Sequence, residues 1–274
     1  METQRVEVYK GKGRGGCFWL ILASLFLICI VPILCVGAIA AGLASGAINE
    51  VDLLSANFSE PLGDADSAQI QIDSGVAQIN INTLTDSNNL FEGDITYYGE
   101  IDFTAGGDTE KIIRLEQINT SGNFFGNFNF FNINTGEDIE WNIGIAPDVP
   151  VMLNIESGIE SSTLNLADLY ITNLQTNLGV GDTNITLPEP QESYSVNINS
   201  GIGNVIVNLP HDVAVRISAQ QGLGDITVPS NLSRISGEDS DFGGSGVWES
   251  EGFVNAERTI TIEINGGIGD ITIQ

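Results

Sequence analysis

Apolar and polar residues alternate with a period of two along most of this chain, the pattern of β-strands with one buried face. Six segments share one arrangement: IQIDSGVAQININ from Ile70, LNIESGIESSTLNL from Leu153, LQTNLGVGDTNITL from Leu174, VNINSGIGNVIVNL from Val196, VRISAQQGLGDITV from Val215 and IEINGGIGDITI from Ile262. Their common glycines are Gly75, Gly158, Gly179, Gly201, Gly222 and Gly267, four of them in a row 21 or 22 residues apart. A periodic unit of this size signals a repeat architecture. Within a copy the parity of the apolar positions switches. Val196, Ile198 and Ile202 are even, whereas Val205, Val207 and Leu209 are odd. A strand keeps its face by a strict period of two, so each copy must contain a bend that absorbs one residue. Glycine at that bend is expected to supply φ > 0, and the Asp or Asn that follows suits turn chemistry. The fold class predicted is all-β, a β-solenoid-like repeat domain with coils of about 21 residues. An antiparallel sandwich with the glycines in hairpin turns is the alternative.

A different pattern precedes the strands. Cys17 to Ile48 contains no charged residue, and Cys17 to Val36 is an almost unbroken apolar run. About 20 residues at ~1.5 Å rise each cross a ~30 Å hydrocarbon core, so residues 17–46 are expected to form one transmembrane helix. Arg5, Lys10, Lys12 and Arg14 precede it, and the first charges after it are Glu50 and Asp52. The positive-inside rule makes residues 1–16 a basic cytoplasmic tail and puts the C-terminus outside, a single-pass cell-membrane topology. Trp19 lies near the cytoplasmic boundary, where an indole anchors, and Pro32 is tolerated in a membrane helix. A cleaved signal peptide is the other reading, from the small-x-small triplet Ala38-Ile39-Ala40. The apolar stretch exceeds the ~7–15 residues of a signal core, which favours retention. Residues 47–68 read as a polar spacer and 69–274 as the extracytoplasmic repeat domain. An irregular insertion at 230–256 includes SGEDSDFGGSGVWESEGF from Ser236, either a degenerate coil around Gly244 or a long surface loop.

Charge sharpens this division. The chain has 36 Asp+Glu against 9 Lys+Arg, a formal net charge of −27. All the acids except Glu2 and Glu7 lie from Glu50 onward, facing only Lys111, Arg114, Arg216, Arg234 and Arg258. Such a body repels phosphates and carries no basic stripe, which excludes nucleic acid as a partner. No cysteine follows Cys35, so disulfide frameworks, Cys-containing zinc sites and thiol catalysis are excluded for the exported part. Cys17, Cys29 and Cys35 read as small apolar residues of the span, with acylation of Cys17 as the alternative.

Candidate chemistry is sparse. The Gly-x-Gly copies are not followed by Gly-Lys-Ser/Thr, and their number points to structure rather than phosphate binding. The Gly266 copy, GGIGDITI, differs from the calcium-binding nonapeptide repeat in period and in the place of Asp270. Glu238, Asp239 and Asp241 are acids of the kind calcium favours, without a complete ligand loop. His211, the single histidine, sits in a Leu-Pro-His-Asp turn with no nucleophile located by sequence. Paired carboxylates for glycoside cleavage are so numerous that no pair stands out. Phe124, Phe125, Phe128, Phe130 and Phe131 form an aromatic cluster, read either as a contact surface or as a strand with Phe128 and Phe130 in the core. Asn57, Asn119, Asn184 and Asn231 begin N-x-S/T sequons. No catalytic, cofactor-binding or metal-binding residue is assigned, and no cofactor is expected.

The run WNIGIAPDVPVMLNIESGIESSTLNLADLYITNLQTNLGVGDTNITLP, with YSVNINSGIGNVIVNLPHDVAVRISAQQGLGDITVP and the closing ITIEINGGIGDITIQ, resembles the toastrack domain. That domain occurs in LiaF-type cell-wall-active antibiotic response proteins and related "putative adhesin" families of unknown function. The resemblance covers roughly 69–274. It implies a β-solenoid-like domain outside the membrane, no catalytic residues, and a role in modulating envelope-stress signalling. LiaF-type proteins commonly carry several membrane helices, and this chain departs from them in having one apolar run. The expectation is therefore a non-enzymatic bacterial envelope protein whose acidic domain contacts an envelope sensor protein or a cell-wall polymer. A self-associating adhesin is the alternative, and a carbohydrate-active enzyme a further one.

Overall fold

The alternation of apolar and polar residues resolves into two sheets that bury their apolar faces against each other. A computed structural model describes residues 53–118, 139–239 and 243–274, and all of its regular structure apart from one short 3-10 turn is β. Residues 1–52, with the basic tail, the apolar run, its three cysteines, Trp19 and Pro32, lie outside the described residues. So do Asn119, the aromatic cluster of Phe124, Phe125, Phe128, Phe130 and Phe131, and the side chains of Glu238, Asp239 and Asp241. Among the described residues no helix is long and apolar enough to cross a membrane.

In chain order, β1 (Leu54–Pro61) leads to the first copy of the repeat, β2 (Ser67–Val76) and β3 (Gln78–Thr83). An arm follows, β4 (Asn89–Tyr97), β5 (Glu100–Gly106), β6 (Glu110–Ile118) and β7 (Glu140–Ile145). Three further copies are β8 (Val151–Ile159) with β9 (Ser162–Asn165), β10 (Ile171–Val180) with β11 (Thr183–Thr186), and β12 (Tyr194–Ile202) with β13 (Val205–Asn208). The fifth copy is β14 (Ala214–Leu223) with β15 (Ile226–Thr227). A hairpin, β16 (Leu232–Asp239) and β17 (Gly244–Ser250), precedes the last copy, β18 (Thr259–Ile268) with β19 (Ile271–Ile273).

Each copy places its long strand in one sheet and its short strand in the other, and like strands pair in parallel. The long strands run β5-β6-β2-β8-β10-β12-β18-β14-β17-β16, the short strands β1-β4-β7-β3-β9-β11-β13-β19-β15. The spatial order of the copies therefore departs from chain order. The last copy lies between the fourth and the fifth, Ile198 pairing with Ile264 and Ile264 with Ala219. The outer edge of β14 is already taken by β17, antiparallel, with Ile217 opposite Trp248. The gap between Gly222 and Gly267 reads in sequence as two stacked periods, but in space it is a hairpin excursion followed by a return into the stack.

Inward positions form layers across the rungs. Ile72, Ile155, Thr176, Ile198, Ile264 and Ala219 make one such row, paired strand to strand and buried. Ile81, Leu164, Ile185, Val207 and Ile273 form a buried row on the short strands. At the first-copy end, Phe103 lies between Phe58 and Phe91 at centroid distances of 4.9 and 5.8 Å. There Lys111 Nζ donates to Glu60 Oε1 at 2.7 Å, joining β6 of one sheet to β1 of the other.

Two stretches acquire structure that the sequence pattern did not indicate. Residues 47–68, read as spacer, include β1, which pairs antiparallel with β4. The insertion at 230–256 contains the β16–β17 hairpin, so Gly244 starts an antiparallel strand rather than the corner of a degenerate coil.

Candidate functional site

The bend inferred from the parity switch has two glycine positions with different physical demands. The first is Gly75, Gly158, Gly179, Gly201, Gly267 and Gly222 in spatial order. None of these six takes a positive φ, which corrects the expectation that they supply one. What they need is room. A Cβ at Gly158, Gly179, Gly201, Gly267 or Gly222 would stand within 3.0 Å of the carbonyl oxygen of the preceding glycine in that order. The second position, two residues later, is the one that turns. Gly181, Gly203, Gly269 and Gly224 take φ values of 145, 140, 133 and 132°, and Glu160 occupies the same place in the second copy at φ 116°. Such angles are nearly confined to glycine.

Backbone and side chains lock the corners together. Gly181 N donates to Ile202 O at 2.8 Å, Gly203 N to Ile268 O at 2.8 Å and Gly269 N to Leu223 O at 2.9 Å. The residue after each second glycine then bridges to the next rung. Asp182 Oδ1 accepts from Asn204 N at 2.8 Å, Asn204 Oδ1 from Asp270 N at 3.0 Å, and Asp270 Oδ1 from Asp225 N at 2.9 Å. This is the turn chemistry of Asp and Asn extended into a ladder between copies.

Between the two positions lies an aliphatic residue that parity reasoning assigned to the same face as the core. Val196 and Ile198 are indeed buried, but Ile202 is 49 % exposed. Val180, Leu223 and Ile268 are likewise exposed. These side chains stand at the corner itself, between the two glycines and beyond the last inward position of the long strand, and so lie outside the core. Their even spacing from true core residues conceals this in the sequence.

The outer face of the long-strand sheet is polar. Asn199 Nδ2 donates to Asn177 Oδ1 at 2.9 Å and Asn265 Nδ2 to Asn199 Oδ1 at 3.1 Å, a short amide stack. The same row continues as Glu156, Asp73 and Glu116 on neighbouring strands. Partial burial of Asp73, with Glu156 and Glu116 beside it, pushes its pKa above the usual Asp value. Where the parallel stack gives way to the arm, Gln117 is buried and completes the bonding. Its Nε2 donates to Tyr98 O at 2.9 Å and its Oε1 accepts from Gly75 N at 3.1 Å.

On the short-strand sheet a cleft of about 450 Å³ includes Glu92, Asp94, Asn57, Asn82 and Asn142. Glu92 Oε1 accepts from Ser87 Oγ at 2.6 Å and Asn89 Nδ2 at 2.8 Å, which holds its pKa below the usual Glu value. A glycosidase general acid needs the opposite shift. His211 is exposed at the opposite edge from the corners, in an open cleft with Glu189, Asp212, Glu257 and Arg258. Among the described residues no group of three or more His, Cys, Asp or Glu is placed to hold a metal ion.

Residues 48–208 match the family described as the N-terminal domain of toast_rack, DUF2154. The chain belongs to the toast_rack family. Its all-β rungs and glycine corners are thus those of a toast_rack domain. A solved structure from Clostridium sporogenes, described as a "putative cell adhesion protein", is similar with TM-score 0.64 and 19% identity, covering 81% of this chain and 99% of the other. A "putative adhesin" from Bacteroides fragilis aligns at TM-score 0.26 and 10% identity, covering 81% of this chain and 97% of that one. No curated protein matches the chain.

Proposed function

We propose that this toast_rack protein is a single-pass bacterial envelope protein that presents a β-solenoid-like, non-catalytic contact domain outside the membrane. The observation that carries the reading is the broad outer face of the long-strand sheet, made of register-aligned amides and carboxylates, Asn177, Asn199 and Asn265 continuing into Glu156 and Asp73. Such a surface suits an extended partner, an envelope protein or a cell-wall polymer, better than a small substrate. The basic tail before an apolar run supports the anchor and its orientation. The fold shared with a protein described as a putative cell adhesion protein fits a contact role. An envelope sensor protein is the partner that the resemblance to LiaF-type proteins suggests.

Crosslinking the full chain in intact cells under wall stress, followed by purification from membranes, tests this. Recovery of a defined envelope protein or wall polymer is expected. Recovery of neither, or protease protection of the C-terminal domain in intact cells, overturns it. Self-association is the second reading, supported by the outermost position of β1, β5 and β15, whose outer edges pair with no other strand among the described residues. Light scattering of the detergent-solubilised chain tests it, and a monodisperse monomer at high concentration refutes it.

A further inference from the structure

The glycine corners leave one feature that neither the core nor the polar faces use. Val180, Ile202, Ile268 and Leu223 are 45–49 % exposed and stand on consecutive rungs, Val180 paired with Ile202, Ile202 with Ile268, and Ile268 with Leu223. With strands ~4.8 Å apart they form a single file ~15 Å long. Ile159, paired with Val180, extends it by one rung.

Two more exposed apolar residues reach the same edge. Ala56, Ile95, Trp141 and Ile79 are paired in succession across the short-strand sheet. Leu54, two residues before Ala56 and 43 % exposed, therefore stands level with Ala77 at the first corner. Glu116 pairs with Asp73, so Ile118, 40 % exposed, stands level with Gly75. Six of the ten large apolar side chains that are exposed among the described residues thus lie along one edge.

We propose that this edge is a lipid-contact surface, seated on the outer leaflet through the aliphatic file. The proposal rests on the reading of residues 17–46 as a retained anchor. The chain outside the described structure argues for it, because seven residues, 47–53, join that run to Leu54 at the corner edge. At ~3.6 Å per residue at most, they hold Leu54 within about 25 Å of the bilayer surface. The amount of apolar surface also separates the occupants. One file of half-exposed aliphatic side chains amounts to a few hundred Å² at most, whereas a stable dimer takes about 800 Å² from each partner. So small a surface serves a partner already held close, and a tether to the membrane provides that. Glu160, Asp182, Asp270 and Asp225 are exposed beside the file, so the leaflet surface it fits is zwitterionic rather than anionic.

The test uses the full chain with Cys17, Cys29 and Cys35 replaced by Ser, inserted in phosphatidylcholine vesicles. An environment-sensitive fluorophore is attached at Ile202→Cys, or at Asp168→Cys in a turn on the opposite edge. Brominated phosphatidylcholine is expected to cause loss of emission at position 202 and none at 168. Serine at Val180, Ile268 and Leu223 together is expected to abolish that loss while the far-ultraviolet circular dichroism stays unchanged. A chain that resists alkaline extraction yet shows no quenching at position 202 overturns the lipid contact and leaves the anchor standing. Quenching at 202 that comes from a second labelled chain instead of the lipid overturns it in favour of a dimer. Alkaline release of the chain from the vesicles refutes the anchor itself, and the proposal with it.

Discussion

Replacing Gly179 by alanine tests whether the corner glycines are required by space. The added methyl would lie within 3.0 Å of Gly158 O, 3.0 Å from Gly158 C and 3.3 Å from Gly158 Cα. All three are backbone atoms, so no side chain can rotate away. The strands on either side are held in register, and Glu160 N donates to Val180 O at 2.9 Å next to the clash. Relief requires β8 and β10 to separate locally. Overpacking of this kind costs about 1–3 kcal/mol, and each strained backbone hydrogen bond adds about 1 kcal/mol. Against this, alanine lowers the entropy of the unfolded chain, worth about 0.4–1 kcal/mol. The net expectation is a loss of about 1–4 kcal/mol, a fall in midpoint of roughly 2–14 °C for a domain of this size. The measurement is thermal unfolding of the full chain in detergent, followed by circular dichroism. Gly106→Ala is the control, since a Cβ there meets nothing within 4 Å and its φ is not positive. Its change is expected within about 0.5 kcal/mol. Equal midpoints for Gly179→Ala and Gly106→Ala would refute the spatial argument.

Three further outcomes follow from single residues. Glu160 holds a φ of 116° where four other copies carry glycine, so Glu160→Gly is expected to raise stability by about 1 kcal/mol in urea unfolding, and a fall would show that its side chain contributes more than the strain costs. Thr176 is fully buried and its hydroxyl has no hydrogen-bond partner, so Thr176→Val is expected to stabilise by about 1 kcal/mol, with a loss of stability counting against the unsatisfied hydroxyl. The raised pKa of Asp73 means that its ionised form disfavours the folded state, so the contribution is best below the unfolded value and is lost as pH rises through the folded one. Asp73→Asn is therefore expected to be more stable than the parent at pH 7, with the difference closing as the pH is lowered, and a constant difference across pH would refute the electrostatic cause.

Much of the domain is legible before folding because its signals are local. Alternation marks the strands around Val196 and Ile262, and the parity switch marks a bend in each copy. The turn chemistry of Asp182, Asn204 and Asp270 can likewise be anticipated from residue type. The glycines were legible as positions but not as reasons. A glycine required by a neighbouring carbonyl, such as Gly179, looks the same in sequence as one required by its own φ, such as Gly203. The strands β4 to β7, which pair antiparallel as β4 with β7 and β5 with β6, carry no repeat signature and so are not legible in the sequence. The exposed file was hidden for a related cause, since Ile202 and Ile268 keep the spacing of core residues up to the point where the chain turns.

What the sequence alone determined is the material of the fold: all-β copies with one bend each, a strongly acidic body without cysteine, and an apolar run behind a basic tail. These follow from residue type and short-range spacing. Tertiary structure decided which copy lies beside which. At the corners of Asp182, Asn204, Asp225 and Asp270 the same carbonyl, the same glycine gap and an Asp or Asn after the second glycine recur, so any of these four copies is a chemically acceptable neighbour of any other. The last copy settles between the fourth and the fifth, where strands on both sides satisfy its N–H and C=O groups and β17 already covers the outer edge of β14. That choice depends on pairings between distant segments, and it also brings Ile202, Ile268 and Leu223 into one continuous line.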